Sequence, residues 1–138
     1  MFQSANLLEH LTIRRNLELV QRIARTSDRH SHRRSDRPSV DALLDAVGLT
    51  RRDGARPSEL SGGEAVRAGL AVSLANHPDV LVADEPTGEL DGTTEAEVLR
   101  LIRGQADRGT AVVVASHSSA VAAMADVVIQ PKDGQRQI

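Results

Sequence analysis

The stretch Val80-Leu-Val-Ala-Asp-Glu-Pro-Thr-Gly-Glu-Leu-Asp91 is the most informative part of this chain about its architecture. It begins with three consecutive apolar residues and passes through one alanine into two adjacent acids, Asp84 and Glu85. A short unbroken apolar run is typical of a strand buried on both faces of a parallel sheet. Pro86 and Gly88 then predict the end of the strand. In open α/β sheets ligands bind outside the carboxyl ends of the strands, so the two carboxylates are candidate site residues.

The pair of acids also indicates a kind of chemistry. Two ionised carboxylates at the buried end of a purely structural strand would lose hydration without compensation. A nucleotidase that uses Mg²⁺ needs one acid for the metal ion and one to handle water. On this pattern one of Asp84 and Glu85 is the candidate metal ligand, and the other is the candidate residue that handles the water.

The segments after this stretch alternate between strand-like and helix-like patterns. An apolar run predicts a second buried strand over Ala111–Ala115, which delivers Ser116 and His117 at its carboxyl end. A third strand is expected over Val127–Gln130, and Asp133-Gly134 is expected to turn into a short final strand. Alternation of strands and helices favours an α/β fold with a mostly parallel sheet and helices on both faces.

The segments before this stretch are helical in pattern. Apolar residues recurring at helical spacing predict a helix over Ile13–Ala24, with Thr12 as its N-cap. Ser39 is expected to cap a short helix that Gly48 ends, and a longer apolar helix should run from Ser61 to Asn76. Thr94 followed by Glu97 is expected to form the capping box of a further helix that reaches about Ala106.

Composition sets limits on the class of protein. The chain has 138 residues and a net charge of −2, which disfavours a strongly basic nucleic-acid binder. It has no cysteine, and therefore no disulfide framework and no thiolate metal site. No apolar run is long enough to cross a membrane. His30 and His32 stand in an Arg-rich polar segment, where a His-x-His pair is typical of solvated surface.

The triplet Ser61-Gly62-Gly63 opens the predicted helix that follows it. A helix begins with backbone N–H groups that have no partner inside the helix, and its dipole is positive at that end. Glycines carry no Cβ, so a phosphate could approach these amides closely. Taken alone, the triplet is more typical of an ordinary helix N-cap followed by flexible glycines.

Together these motifs resemble the ATP-binding cassette ATPases of ABC transporters. Leu60-Ser61-Gly62-Gly63-Glu64 resembles the signature motif of that family, and Val80–Glu85 resembles its Walker B segment with the catalytic glutamate. Leu90-Asp91 resembles the D-loop, and His117 stands where the family has its switch histidine. Gln3 resembles the Q-loop glutamine. Within the family, the sequence of the segment after Glu85 is similar to that of cassettes that serve lipoprotein-release and macrolide exporters.

The resemblance implies a role for each of these residues. Asp84 would hold Mg²⁺, while Glu85 would orient or deprotonate the attacking water. His117 would reach the γ-phosphate, and Gln3 would bridge the metal site to a membrane partner. The resemblance implies a further set that contacts ATP across a head-to-tail dimer or shapes its interface, namely Ser61, Gly62, Gly63 and Asp91. The implied cofactors are ATP and Mg²⁺.

The family's phosphate loop is absent from this sequence. That loop requires G-x-x-x-x-G-K-[ST], whereas the single lysine, Lys132, follows Pro131 with no glycine before it. The expected fold is therefore a partial P-loop NTPase of the ABC type that lacks the N-terminal strands. Residues 1–60 would form the Q-loop and α-helical subdomain, and residues 61–138 the signature helix, Walker B, D-loop and switch-histidine part of the α/β core.

The resemblance implies an ATP-binding subunit that couples ATP hydrolysis to transport, in the direction of export, with this chain inactive on its own. Its partners would be a transmembrane permease and a second cassette, and nucleic acid would not be a partner. The chain would lie peripherally on the cytoplasmic face of the membrane.

Two alternatives remain open. The chain could be a non-catalytic accessory that donates its signature motif in trans, or a fragment of a soluble relative acting on ribosomes or DNA. An unpaired sheet edge is expected to make it marginally stable or self-associating.

Overall fold

The computed structural model describes residues 6–27, 37–132 and 135–137 of the chain. Five α-helices and two pairs of strands form its regular structure. The helices are α1 (Ile13–Ser27), α2 (Val40–Ala46), α3 (Gly62–Leu74), α4 (Gly92–Asp107) and α5 (Ser119–Met124). The strands are β1 (Val80–Asp84), β2 (Ala111–Ala115), β3 (Gln130–Lys132) and β4 (Gln135–Gln137). Two single turns of 3₁₀-helix, Thr50–Arg52 and Pro57–Glu59, join α2 to α3.

Strands β1 and β2 form a parallel pair that crosses over through α4, as the alternating pattern predicted. Their register places Val80 opposite Ala111 and Asp84 opposite Ala115. The carboxyl ends of the two strands therefore lie side by side. This brings the acids after β1 next to the segment after β2 that contains His117. The α/β fold class expected from the sequence is confirmed.

The two faces of β1 differ in exposure, which corrects the expectation of a strand buried on both sides. Leu81 and Ala83 are buried, whereas Val80 and Val82 expose 54% and 59% of their surface. Val113, which pairs with Val82 in the register, is 57% exposed. The physical reason is that the described helices cover the Leu81 side of this pair. The other side is an apolar face open to solvent.

The core lies between the helices and the covered face of the sheet. It is built almost entirely from aliphatic side chains, since the chain contains one aromatic residue. Ile13 and Leu17 from α1 meet Leu44 from α2, and all three are fully buried. Side chains of α3 and α4 complete the same cluster, which also includes Leu81 of β1. Burial of these aliphatic groups is the main favourable contribution to folding.

Several helix ends agree with the sequence prediction. Helix α1 begins at Ile13, and Thr12 Oγ1 accepts a hydrogen bond from Arg15 N at 3.3 Å. Ser39 caps α2 by accepting from Ala42 N at 3.1 Å. Gly48 follows α2 with a φ of +68°, a left-handed conformation that glycine adopts without steric cost.

The predicted capping box of α4 is wrong. Asp91, not Thr94, is the N-cap, and its carboxylate accepts from the backbone N–H groups of Thr93 and Thr94 at 3.0 Å. Thr94 is already inside the helix and donates its hydroxyl to Asp91 at 2.8 Å. Glu97 instead pairs with Arg67 of α3 at 3.2 Å. An aspartate three residues ahead of Thr94 offers the unpaired amides an ionised acceptor, which is a stronger cap.

The end of the chain also differs from the prediction. The third strand is β3, which begins at Gln130 rather than at Val127, and it pairs antiparallel with β4 instead of joining β1 and β2. Gln3, His30 and His32 lie outside the described residues. In the part of the chain that the structure describes, no helix is both long and apolar enough to span a bilayer.

Candidate functional site

Glu85 has the most unusual backbone in the site. It follows directly after β1 with a φ of +43°, a left-handed conformation that costs free energy for a residue with a Cβ. Its N–H donates to Ala115 O of β2 at 2.8 Å, which fixes the turn at the end of the sheet. Its carboxylate accepts from Ser116 Oγ at 2.9 Å and from His117 N at 3.0 Å. Three bonds to the neighbouring strand end thus hold a strained residue in place.

Asp84 precedes Glu85 and differs from it in environment. It is the last residue of β1, and it is exposed. No described side chain donates a hydrogen bond to its carboxylate or forms an ion pair with it. An ionised carboxylate that is accessible and without a partner is available to a cation.

His117 lies beside Glu85, as the sequence predicted from the two strand ends. Its imidazole Nε2 is 3.8 Å from Glu85 Oε1, and its side chain is fully exposed. The main chain of His117 is held by the Glu85 carboxylate while the imidazole projects into solvent. Such an imidazole can meet a group that arrives from outside.

Ser61 caps α3 through a reciprocal pair of hydrogen bonds. Its hydroxyl accepts from Glu64 N at 3.2 Å, and its own N–H donates to Glu64 Oε2 at 2.9 Å. Arg52 reaches the other oxygen of that carboxylate at 3.2 Å. The bond from Ser61 N–H is the main reason that the pKa of Glu64 lies below its usual value; burial opposes this shift, and Arg52 contributes in the same direction as Ser61. The sequence contained a signal for this, because Ser-x-x-Glu is the pattern of a capping box.

The two glycines at the start of α3 have different surroundings. Gly62 is exposed, whereas Gly63 is buried against α4. A Cβ added to Gly63 would stand 2.3 Å from the side-chain methyl of Thr94, far closer than atoms can approach. The absence of a Cβ at Gly63 is therefore required by packing within this chain. At Gly62 the nearest atom to an added Cβ would be a Leu90 methyl at 3.9 Å, which leaves room for a ligand.

Asp91 joins the site through its role as the cap of α4. The N–H groups of Thr94 and Thr93 and the hydroxyl of Thr94 all donate to its carboxylate and lower its pKa. Asp91 and Ser61 line one groove of about 440 Å³ between the starts of α3 and α4. The sequence placed Asp91 in a loop, but its capping function was visible only in the structure.

The groove at Ser61 adjoins a second cleft that Glu85 and His117 line. Gly62 borders both. The structure therefore brings together most of the site residues that the sequence predicted, with Gln3 outside the described part. It also adds polar residues that sequence reasoning missed around Glu85 and His117, namely Thr87, Glu95, Ser116 and Ser118. Ser116 and Ser118 could have been found from the sequence, because they flank His117 directly.

The residues present fit Mg²⁺ and a phosphate. Within residues 6–27, 37–132 and 135–137, no cluster of three or more acids and histidines could enclose a metal ion. Mg²⁺ bound to a nucleotide is held by one or two carboxylates together with phosphates and waters, and Asp84 offers one such carboxylate. The first amides of α3, from Gly62 and Gly63, find no acceptor among the described residues, which suits an anion.

The chain is similar to curated ABC transporter proteins. The macrolide export ATP-binding/permease protein MacB 2 of Aeromonas hydrophila subsp. hydrophila is 38% identical over 137 residues, which are 99% of this chain and 20% of that protein. The ABC transporter ATP-binding protein Rv0073 of Mycobacterium tuberculosis strain H37Rv is 42% identical over 130 residues, 94% of this chain and 38% of that protein. The chain thus spans well under half the length of either relative.

Solved structures and a family profile agree with these relatives. The dimeric, post-hydrolysis structure of the ATP-binding cassette MJ0796 bound to ADP and Pi matches with a TM-score of 0.75 and 31% identity. That match covers 99% of this chain and 59% of the cassette. The profile of the family described as ABC transporter matches residues 1–88, which include Ser61, Asp84 and Glu85. The chain belongs to the ABC transporter family.

Proposed function

We propose that the chain is the carboxyl-terminal part of an ATP-binding cassette that couples ATP hydrolysis to transport across a membrane. The observation that carries this proposal is the geometry of Glu85. A strained glutamate, fixed between two strand ends next to an exposed histidine and a free aspartate, is a costly arrangement for a purely structural turn. Strain of this kind is concentrated at functional sites.

Each residue of the site has a chemical task in this proposal. Asp84 holds Mg²⁺, and the ion when bound neutralises charge on the phosphates. Glu85 accepts a hydrogen bond from the attacking water or takes its proton, which requires that its carboxylate stay ionised. His117 donates from its imidazole to the γ-phosphate. The hydrogen bonds from Ser116 and His117 N to Glu85 keep the carboxylate oriented without filling all of its acceptor positions.

The start of α3 serves a second nucleotide site. Ser61, Gly62 and Gly63 line an open groove, so we propose that they contact an ATP that another cassette carries. Asp91 lies in the same groove and shapes the contact with that second cassette. The solved relative MJ0796 is a dimer, and that supports an assembly of two cassettes.

The remaining roles rest on the family and on the names of its members. A permease is the proposed membrane partner, because the macrolide and pyoverdine relatives are described as ATP-binding/permease proteins. Their names also support export. A peripheral position at the cytoplasmic face of the membrane is proposed from the resemblance to the family. Gln3 is the proposed link between metal site and permease, with residues 1–60 as the helical subdomain and residues 61–138 as the core part. Without a phosphate loop the 138 residues should not bind ATP tightly.

ATP turnover by a chain extended at its amino terminus with a phosphate-loop segment tests the proposal. We expect hydrolysis in the extended chain and a loss of about 10²–10⁴-fold in Glu85→Gln, the range typical of a general base. Arg108→Gln, an exposed change at the far end of α4, is the matched control and should leave turnover unchanged. Turnover that is unaffected by Glu85→Gln would contradict the proposal.

A second experiment concerns the accessory alternative. Labelled ATP is mixed with the 138-residue chain, with and without a separate cassette that has an intact phosphate loop. Binding to the mixture that exceeds binding to the separate cassette alone, and that Ser61→Ala weakens, supports donation of the signature motif in trans.

A further inference from the structure

Glu95 is a half-buried link in the site that neither the sequence pattern nor the family resemblance assigned. It lies in the first turn of α4, where its N–H donates to Asp91 O at 2.8 Å. One of its carboxylate oxygens, Oε1, accepts from two hydroxyls at once. Thr87 Oγ1 donates to it at 3.0 Å and Ser118 Oγ at 2.6 Å.

These two donors come from opposite sides of the site. Thr87 is 3% exposed and stands two residues after Glu85, in the turn that leaves β1. Ser118 stands directly after His117 and caps α5 by accepting from Ala120 N at 3.2 Å. Glu95 therefore joins the turn after β1 to the segment after β2 through a single oxygen atom.

The hydrogen bonds close into a ring around the candidate catalytic pair. Ser118 N donates to Ser116 Oγ at 3.1 Å, and Ser116 Oγ donates to Glu85 Oε2 at 2.9 Å. From Glu85 the main chain leads back through Pro86 to Thr87 and so to Glu95. A bond network of this kind is worth more than its separate bonds, because each member restricts the next. The main chain that carries the exposed His117 imidazole is held by this hydrogen-bond ring and by its own bond to Glu85.

We propose that Glu95 is a positioning residue that holds the His117 main chain against Glu85 and connects both to the start of α4. The connection follows from its place one helical turn after Asp91. A displacement of Asp91 by a second cassette would move the Oε1 acceptor and with it the Ser118 end of the His117 segment. This inference rests on the proposed function, since it assigns the coupling to the same site.

Amide hydrogen exchange measured by NMR on the 138-residue chain tests the link without ATP. The readout is the exchange rate of His117 N–H and Ser118 N–H divided by that of Leu17 N–H in the core helix α1, so that a rise of this ratio indicates a local change and not a global loss of stability. Glu95→Ala removes the acceptor of two hydroxyls, and we expect this ratio to rise about tenfold. Glu95→Gln keeps an amide oxygen that can accept both bonds, and the ratio should stay within about twofold of the wild type.

Two further variants keep the test decisive. Glu97→Ala removes a carboxylate from the same helix that pairs with Arg67 instead, and it should leave the ratio unchanged. If Glu95→Ala does not fold, Thr87→Val removes one of the two donors and should raise the ratio at His117. A ratio that is unchanged in Glu95→Ala or Thr87→Val, or that rises equally in Glu95→Gln, would overturn the positioning role.

Failure of this inference is distinguishable from failure of the proposed function. Exchange at His117 reports the hydrogen-bond ring alone, whereas turnover in Glu85→Gln reports the reaction. A raised ratio in Glu95→Ala together with unaffected turnover in Glu85→Gln would leave the hydrogen-bond ring standing and remove the hydrolysis role.

Discussion

The side-chain methyl of Thr94 lies 2.3 Å from the position that a Cβ on Gly63 would take, so the close packing of α3 on α4 at this point requires that residue 63 has no side chain. We expect Gly63→Ala to force the two helices apart and to destabilise the fold by about 1–3 kcal/mol, as overpacking does. Urea unfolding, followed by circular dichroism, gives the free energy of unfolding of the variant and of the wild type.

The neighbouring glycine provides the control for this prediction. In Gly62→Ala the new methyl would meet a Leu90 methyl at 3.9 Å, which is ordinary van der Waals contact. Both substitutions replace glycine by alanine in the first turn of α3, so their effects on helix propensity are similar. Thr94→Ser removes the obstructing methyl and should restore part of the lost stability in the double variant. Equal costs of Gly62→Ala and Gly63→Ala would disprove the packing explanation.

The cap of α3 should make stability depend on pH. The pKa of the Glu64 carboxyl is lowered, first by the hydrogen bond from Ser61 N–H, so the folded state favours the ionised form. Its stabilising contribution is present above the pKa of the unfolded chain, which is near 4.5, and is lost as pH falls through the lower folded value. We therefore expect the free energy of unfolding to fall as pH is lowered from 5 to 3, measured by urea titration at each pH.

Glu64→Gln separates this carboxyl from the other acids of the chain. Glutamine can still accept the bond from Ser61 N–H, so the capping box is retained, but it does not titrate. The difference in stability between wild type and variant should shrink as pH falls from 5 to 3. A difference that stays constant over this range would mean that Glu64 has the same pKa in the folded and unfolded states.

The strands were predictable from sequence because their signals are local. Apolar runs that end at Asp84 and Ala115 are bounded by residues that stop a strand, and β1 and β2 have the expected bounds. Exposure could not be predicted in the same way, because it depends on which elements cover each face. Val82 reads as a core residue in sequence and is 59% exposed in the structure.

The same distinction explains the site. Asp84, Glu85 and His117 follow strand ends, and parallel pairing brings strand ends together, so their proximity could be predicted. Glu95 could not, because its partner Ser118 lies 23 residues away and only the crossing of α4 over the sheet brings them into contact. The capping box at Thr94 was predicted wrongly for another reason. Asp91 and Thr94, three residues apart, both have side chains that can accept from the first amides of a helix, and Asp91 is the one that caps α4.

Truncating an aliphatic side chain in the core where helices converge should lower the free energy of unfolding strongly. Leu44 is fully buried between α1 and α3, so Leu44→Ala leaves a cavity, and we expect a loss of about 2–5 kcal/mol in the free energy of unfolding. Ile23→Ala is the control, since Ile23 of α1 is 57% exposed and should lose much less. Similar losses for both variants in urea unfolding would mean that the two sites are equally exposed in solution.

The open face of the sheet should drive self-association. Val80, Val82 and Val113 present neighbouring apolar side chains there, each more than half exposed. Sedimentation velocity should show species larger than a monomer whose fraction rises with concentration.

The double variant Val82→Thr/Val113→Thr keeps β-branched side chains while making the face polar, and we expect a larger monomer fraction. Val127→Thr changes a valine outside β1 and β2 that is 67% exposed, so it should leave the distribution unchanged. A monomer at all concentrations with a sharp, cooperative thermal transition would show that this face does not associate.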